Sequence, residues 1–165
     1  MAVVATGFFD GVHEGHRRVL SRLVSLAKER REESVAVTFW PHPRTVLQQD
    51  ARDLRLLSSL EEKKALINAS GVDRIEVMDF TREFSSLSTE DYLKILITRY
   101  GATAVVLGYD NRIGHDCPGV EAVAEKARSL GLEAVRLHAR LAVRTGLPVR
   151  HHALVAADVN RPRGE

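Results

Sequence analysis

Short apolar, β-branched runs recur along the chain, separated by segments in which apolar residues return every three or four positions. The runs are Ala2–Thr6, Val35–Trp40, Arg74–Phe80, Thr103–Tyr109 and Leu132–Leu137, and their length and residue types predict buried strands. After the first run, Val19, Leu20, Leu23, Val24 and Ala27 form one stripe, while Arg18, Arg22, Lys28 and Glu29 fall on the other faces. That spacing predicts an amphipathic helix. A second helix is bounded by Ser59 as N-cap and Gly71 as stop, and a third by Ser88 and Gly101. Gly119 to Gly131 repeats the pattern. Strands alternating with helices predict a doubly wound, Rossmann-like α/β fold, with a parallel sheet of about five strands covered on both faces.

The 165 residues suit one domain, residues 1–165, and no composition break or repeat suggests a boundary. Hydrophobic residues make up 44% and charged residues 28%, the balance of a soluble globular protein. A formal charge of +2 with scattered Lys and Arg argues against a nucleic-acid partner, because a duplex footprint needs basic residues clustered on one face. The densest run, Lys28 to Glu33, mixes both signs and fits a solvated helix end. Cys117 is the sole cysteine, which excludes an internal disulfide. The N-terminal Met1 to Ala5 stretch is too short for a membrane span or a signal-peptide core and has no basic region before it. A cytoplasmic protein without a membrane partner is therefore expected, as a monomer or weak homodimer.

In open parallel sheets, ligands bind beyond the carboxyl ends of the strands. The stretches following the first four strands are "GFFDGVHEGH", "PHPRTV", "TREFSSLS" and "DNRIGHD", and they hold four of the seven histidines. His13 and His16 are three positions apart, so on a helix's first turn they share nearly one face. Gly15 between them allows close backbone approach, and the free N–H groups of a helix start favour an anion. Paired imidazoles that donate to a phosphate stabilise charge building on it during a displacement. The pair taken alone equally fits two surface histidines beside a turn or part of a zinc site. However, H-E-x-x-H is absent, and a structural zinc needs further ligands. The metal ligands, if any, are not identified by spacing.

"TGFFDGVHEGH" resembles the nucleotide-binding signature of the FMN adenylyltransferase module of bacterial FAD synthetases, within the H-x-G-H nucleotidylyltransferase superfamily. "VTFWPHPRTVL", "FTREFSSLSTEDYL" and "VLGYDNRIG" match in order and spacing, and "LLSSLEEKKALI" is similar to the family's segment leading into the second helix. The likeness covers the chain from its start to about Gly114. It implies a nucleotidylyltransferase-type fold and adenylyl transfer from ATP to FMN, giving FAD and pyrophosphate with magnesium. It further implies that His13 and His16 hold the ATP phosphates and stabilise the transition state. Gly7, Phe8, Phe9, Asp10 and Gly15 would shape the nucleotide pocket, and Gly108, Asp110 and Asn111 would lie on its adenosine and phosphate side. Pro41, His42, Pro43 and Arg44 would lie near the flavin phosphate and metal. Phe80 and Phe84, with Leu87, would line the flavin slot, although aromatic residues after a strand also pack inward as core. Pro41 to Arg44 fit a stiff turn as well, and Asp110 and Asn111 ordinary turn residues.

Two features depart from the family. Members carry a Ser-Ser-Thr segment opening the last helix, followed by an arginine that contacts phosphate. The corresponding stretch here is "RTGLPVRHHALVAADV", Arg144 to Val159, in which Arg150 matches the arginine while Gly146 and Leu147 follow Thr145. Hydrogen bonds to charged groups contribute about 1.5–3 kcal/mol each, so missing hydroxyls imply slowed turnover unless Arg144, His151 or His152 substitutes. The other departure is length: the 165 residues leave no room for the riboflavin kinase domain that members commonly carry, so a single domain without it is expected. Two further readings follow: a flavin- or nucleotide-binding paralogue with weak or no catalysis, and an adenylyltransferase acting on a different phosphate acceptor.

Overall fold

The apolar runs pair side by side in the computed structural model, which describes residues 1–9, 14–41, 59–108, 114, 119–140 and 155–157, the last three and 138–140 as backbone alone. Strands β1 (Ala2–Thr6), β2 (Glu33–Trp40), β3 (Arg74–Asp79), β4 (Ala102–Leu107) and β5 (Glu133–Arg136) form one sheet in the order β3-β2-β1-β4-β5. Every pairing in it is parallel, as the continuous Val- and Ala-rich strands require when both faces are buried. β1 is the central strand, and all five of its residues are buried. The expected doubly wound α/β class and the strand count hold.

Two separate cores lie on the two faces. On one face, α1 (Glu14–Arg30) and α2 (Leu60–Asn68) cover Val3, Ala5, Ala36 and Val106, with Leu20, Leu23 and Ile67 as their main contributions. On the other, α4 (Thr89–Tyr100) and α5 (Val120–Ser129) cover Val4, Val35, Val37 and Val105 through Leu93, Leu96, Val123 and Ala124. The helix boundaries follow local chemistry. Ser59 caps α2 in a reciprocal capping box with Glu62. The Ser88 side chain accepts from the Asp91 N–H at the start of α4, and Gly101 ends that helix at φ 64°. A residue with a Cβ is strained in that left-handed conformation, so glycine is the natural stop. A single helical turn, α3 (Arg82–Ser85), follows β3, capped by Thr81 accepting from the Phe84 N–H at 3.0 Å.

The end of the chain departs from expectation. Val155–Ala157, inside the stretch matched to the opening of a last helix, is instead a strand, β7, paired antiparallel with β6 (His138–Arg140). A short apolar run centred near a β-branched residue satisfies its backbone groups as readily by pairing as by helix formation. Among the described residues, no helix is long and apolar enough to cross a membrane.

At the amino edge of the sheet, Asp73 and Ser34 fasten β3 to β2. The Asp73 carboxylate accepts from the Ser34 N–H at 2.9 Å and its hydroxyl at 3.0 Å, and the Ser34 hydroxyl accepts from the Asp73 N–H at 2.8 Å. The Ser34 donors, backbone first, hold the Asp73 carboxyl below its usual range. A lowered folded-state value contributes stability that is present above the unfolded carboxylate range and lost as pH falls through the folded value. Asp73→Asn should therefore lower the urea midpoint at pH 7. The gap from the parent should narrow below about pH 4; an unchanged gap would assign the effect to packing.

Candidate functional site

Strand order reverses at β1, whose neighbours β2 and β4 lead to opposite edges. In open parallel sheets the carboxyl ends of the strands flanking such a reversal are where ligands bind. Gly7, Phe8 and Phe9 leave β1 there, and the buried Gly108 leaves β4 beside them. The structure thus brings Gly7, Phe8, Phe9 and Gly108 to one edge of the sheet.

The turn out of β1 is anchored from three sides. The Gly7 N–H donates to the Val37 carbonyl at 3.0 Å, extending the pairing with β2. The Thr38 hydroxyl donates to the Phe8 carbonyl at 3.1 Å. Below them, the Thr6 and Tyr92 hydroxyls share a buried hydrogen bond of 2.5 Å, and burial pushes the Tyr92 phenol well up. A turn held by backbone and buried side chains keeps one geometry, the requirement for placing catalytic groups.

Phe8 and Phe9 then point to opposite faces. Phe9 takes the left-handed conformation at φ 49° and is 2% exposed, in the core under α1. Its ring meets His16 edge-on, with centroids 5.3 Å apart and planes at 79°. Gly15 and His16 occupy the first turn of α1, half-buried, so the imidazole stands at a helix N-terminus with an aromatic ring behind it. Phe8 turns the other way, into a cluster with Phe39 at 5.1 Å and Phe80 at 5.8 Å. Phe84 contacts Phe39, Phe80 and Tyr92 at 5.4, 5.7 and 5.8 Å. Phe80 is fixed by its N–H donating to the Trp40 carbonyl at 3.0 Å. Phe8, Phe80 and Phe84 are each half-buried, forming an apolar wall at the carboxyl ends of β1 to β3. Pro41 continues from β2 at the same edge.

Of the other predicted site residues, His13, Asp10, His42, Pro43, Arg44, Asp110, Asn111 and Arg150 lie outside the described residues. Among the described residues, no group of three or more His, Cys, Asp or Glu is placed to hold a metal ion. Sequence reasoning missed Lys63, which is 2% exposed, with its ammonium 5.6 Å from the centre of the Trp40 ring. The signal was present: Leu60, Lys63 and Ile67 fall on one helical stripe.

A family model described as FAD synthetase matches residues 1–141. A bifunctional riboflavin kinase/FMN adenylyltransferase from Listeria monocytogenes is 35% identical over 112 residues, 68% of this chain and 36% of the relative. The Bacillus subtilis protein of the same description is 34% identical over 113 residues, again 68% and 36%. A Listeria monocytogenes FAD synthetase is 30% identical over 113 residues, 68% of this chain and 46% of that protein. The chain thus spans about a third to a half of the length of these curated relatives. In fold, it is similar to a macrolide-efflux protein from Streptococcus pneumoniae, with a TM-score of 0.73 and 24% identity over 84% of this chain and 52% of that one. With the matched model running from β1 through β6 across the anchored turn and its histidine, the chain belongs to the FAD synthetase family.

Proposed function

We propose that this domain transfers an adenylyl group from ATP to FMN, giving FAD and pyrophosphate. The observation that carries the reading is His16, against the Phe9 ring on the first turn of α1, the helix that follows β1 where strand order reverses. ATP enters as its magnesium complex with its phosphates against this helix start. A phosphate oxygen of FMN attacks the α-phosphorus. The bond from that phosphorus to the bridging oxygen breaks, and pyrophosphate leaves with the electron pair. His16, with His13, donates hydrogen bonds to the oxygens on which charge builds, and Arg150 adds a positive charge there. The flavin lies along the wall of Phe8, Phe80 and Phe84, with Pro41 to Arg44 toward its phosphate.

Incubating the protein with FMN, ATP and magnesium and separating the products by chromatography tests the reading. FAD is the expected product; binding of FMN and ATP without FAD would make this a binding module instead. FAD absent with FMN, but an adenylylated product formed with another phosphate ester, would change the acceptor.

Gly7 offers a sharper check. Among the described residues, the nearest atoms to a Cβ added there belong to the Phe9 ring at 3.5–3.7 Å, ordinary contact, and the backbone is not in the left-handed region. The fold therefore has room for alanine. Gly7→Ala should change stability by no more than about 0.5 kcal/mol. It should raise the KM for ATP about tenfold, because a methyl group displaces phosphates that approach the backbone closely. Equal KM values would remove Gly7 from the nucleotide pocket.

A further inference from the structure

Tyr92 buries a hydroxyl where phenylalanine would fill nearly the same space. It lies near the start of α4 and is 3% exposed. Its ring packs behind the aromatic wall, edge-on to Phe84 with centroids 5.8 Å apart and planes at 90°, and 6.1 Å from Phe39. Its hydroxyl shares the 2.5 Å bond with that of Thr6, the last residue of β1. Two parts of one side chain thus reach two places: the ring backs the wall, and the hydroxyl holds the strand end from which Gly7 leaves.

The two contacts differ in kind. Apolar packing is non-directional and tolerates small slips, whereas a hydrogen bond weakens steeply away from its preferred distance and line. A phenol taken out of water also loses free energy when its partner moves away, so the bond favours one placement of α4 against β1. The other anchors of the turn, from the Gly7 N–H to the Val37 carbonyl and from the Thr38 hydroxyl to the Phe8 carbonyl, tie it to β2. Of these three, the Tyr92 bond is the one that reaches a helix. Thr6 makes a further interaction besides this bond, so the hydroxyl to change first is that of Tyr92.

We infer that Tyr92 is a positioning residue with two separable roles: its hydroxyl, through Thr6, sets the turn at Gly7 against which the nucleotide phosphates lie, and its ring holds Phe84 in the wall that takes the flavin. The assignment of ATP to the turn and FMN to the wall rests on the adenylyl-transfer reading. Removing the hydroxyl alone should then affect one ligand, and removing the ring should affect both.

The experiment measures the dissociation constants of ATP with magnesium and of FMN, separately, by calorimetry. It compares the parent with Tyr92→Phe, Tyr92→Leu and Tyr100→Phe, with urea unfolding to establish that each is folded and FAD formation followed in parallel. Tyr92→Phe should weaken ATP about fivefold and FMN by less than about twofold. Tyr92→Leu should weaken both. Tyr100→Phe removes a hydroxyl from the far end of the same helix and should match the parent. Equal losses for ATP and FMN in folded Tyr92→Phe would overturn the inference, because a general loosening of the fold touches both ligands alike; an unchanged ATP affinity would overturn it as well. Thr6→Val breaks the bond from the other side and stands in if Tyr92→Phe does not fold; Phe84→Leu reads the wall if Tyr92→Leu does not. A parent that binds both ligands but makes no FAD sinks the adenylyl-transfer reading alone, and the two affinities still decide the role of Tyr92. A parent that lacks either affinity overturns both.

Discussion

His16→Ala should lower kcat for FAD formation by about 10²–10³ while the protein remains folded. Removing one preorganised donor from a developing charge has that size of effect, because the donor acts in a site that excludes water and needs no reorganisation as the charge forms. The structural loss is smaller. His16 is half-buried and touches the Phe9 ring at its edge, a contact of about 0.5–1.5 kcal/mol. Urea unfolding and single-turnover FAD formation, measured on the same preparation, separate the two effects. A fall in kcat with a steady KM for ATP assigns His16 to the transition state; a rise in KM with steady kcat assigns it to ground-state binding. Turnover equal to the parent would remove its assigned role.

The elements were legible in the sequence where their causes are local. Ser59 and Ser88 cap the helices they precede, because a hydroxyl two or three residues before free N–H groups needs no tertiary partner to find them. Gly101 stops α4 for a similarly local reason. Strand order was not legible in that way. β1 lies between β2 and β4 because the connections run to opposite sides of it, and nothing in the five apolar runs themselves says which is central.

The site shows the same division. Phe8 and Phe9 are identical and adjacent, yet the turn sends one ring to the aromatic wall and the other beneath His16. Only the φ of 49° at Phe9, a property of the folded turn, distinguishes them. Lys63 in "EEKKAL" reads as one more solvated charge until the stripe of Leu60 and Ile67 is drawn through it. Asp73 and Ser34, far apart in the chain, meet only because β3 pairs with β2.

Phe9 joins fold and site, and Phe9→Ala should be the most damaging of these changes to stability, at about 3–5 kcal/mol for loss of a buried phenyl ring. The ring is 2% exposed among residues of α1 and the sheet, so its removal leaves a cavity that the anchored turn cannot easily close. The backbone adds a less usual expectation. At φ 49° any residue with a Cβ is strained by about 1–2 kcal/mol, and Ala keeps that strain while losing the ring. Phe9→Gly loses the same ring and relieves the strain, so it should be more stable than Phe9→Ala by about 1 kcal/mol, less the extra entropy glycine gives the unfolded chain. Equilibrium urea unfolding of both variants checks the order; Gly below Ala would mean that the left-handed turn is not a cost the fold bears. Both variants should also lose turnover at temperatures where they remain folded, since His16 no longer has the ring against which it stands. Turnover that survives in folded Phe9→Gly would show that the first turn of α1 positions His16 by itself, leaving Phe9 to the core alone.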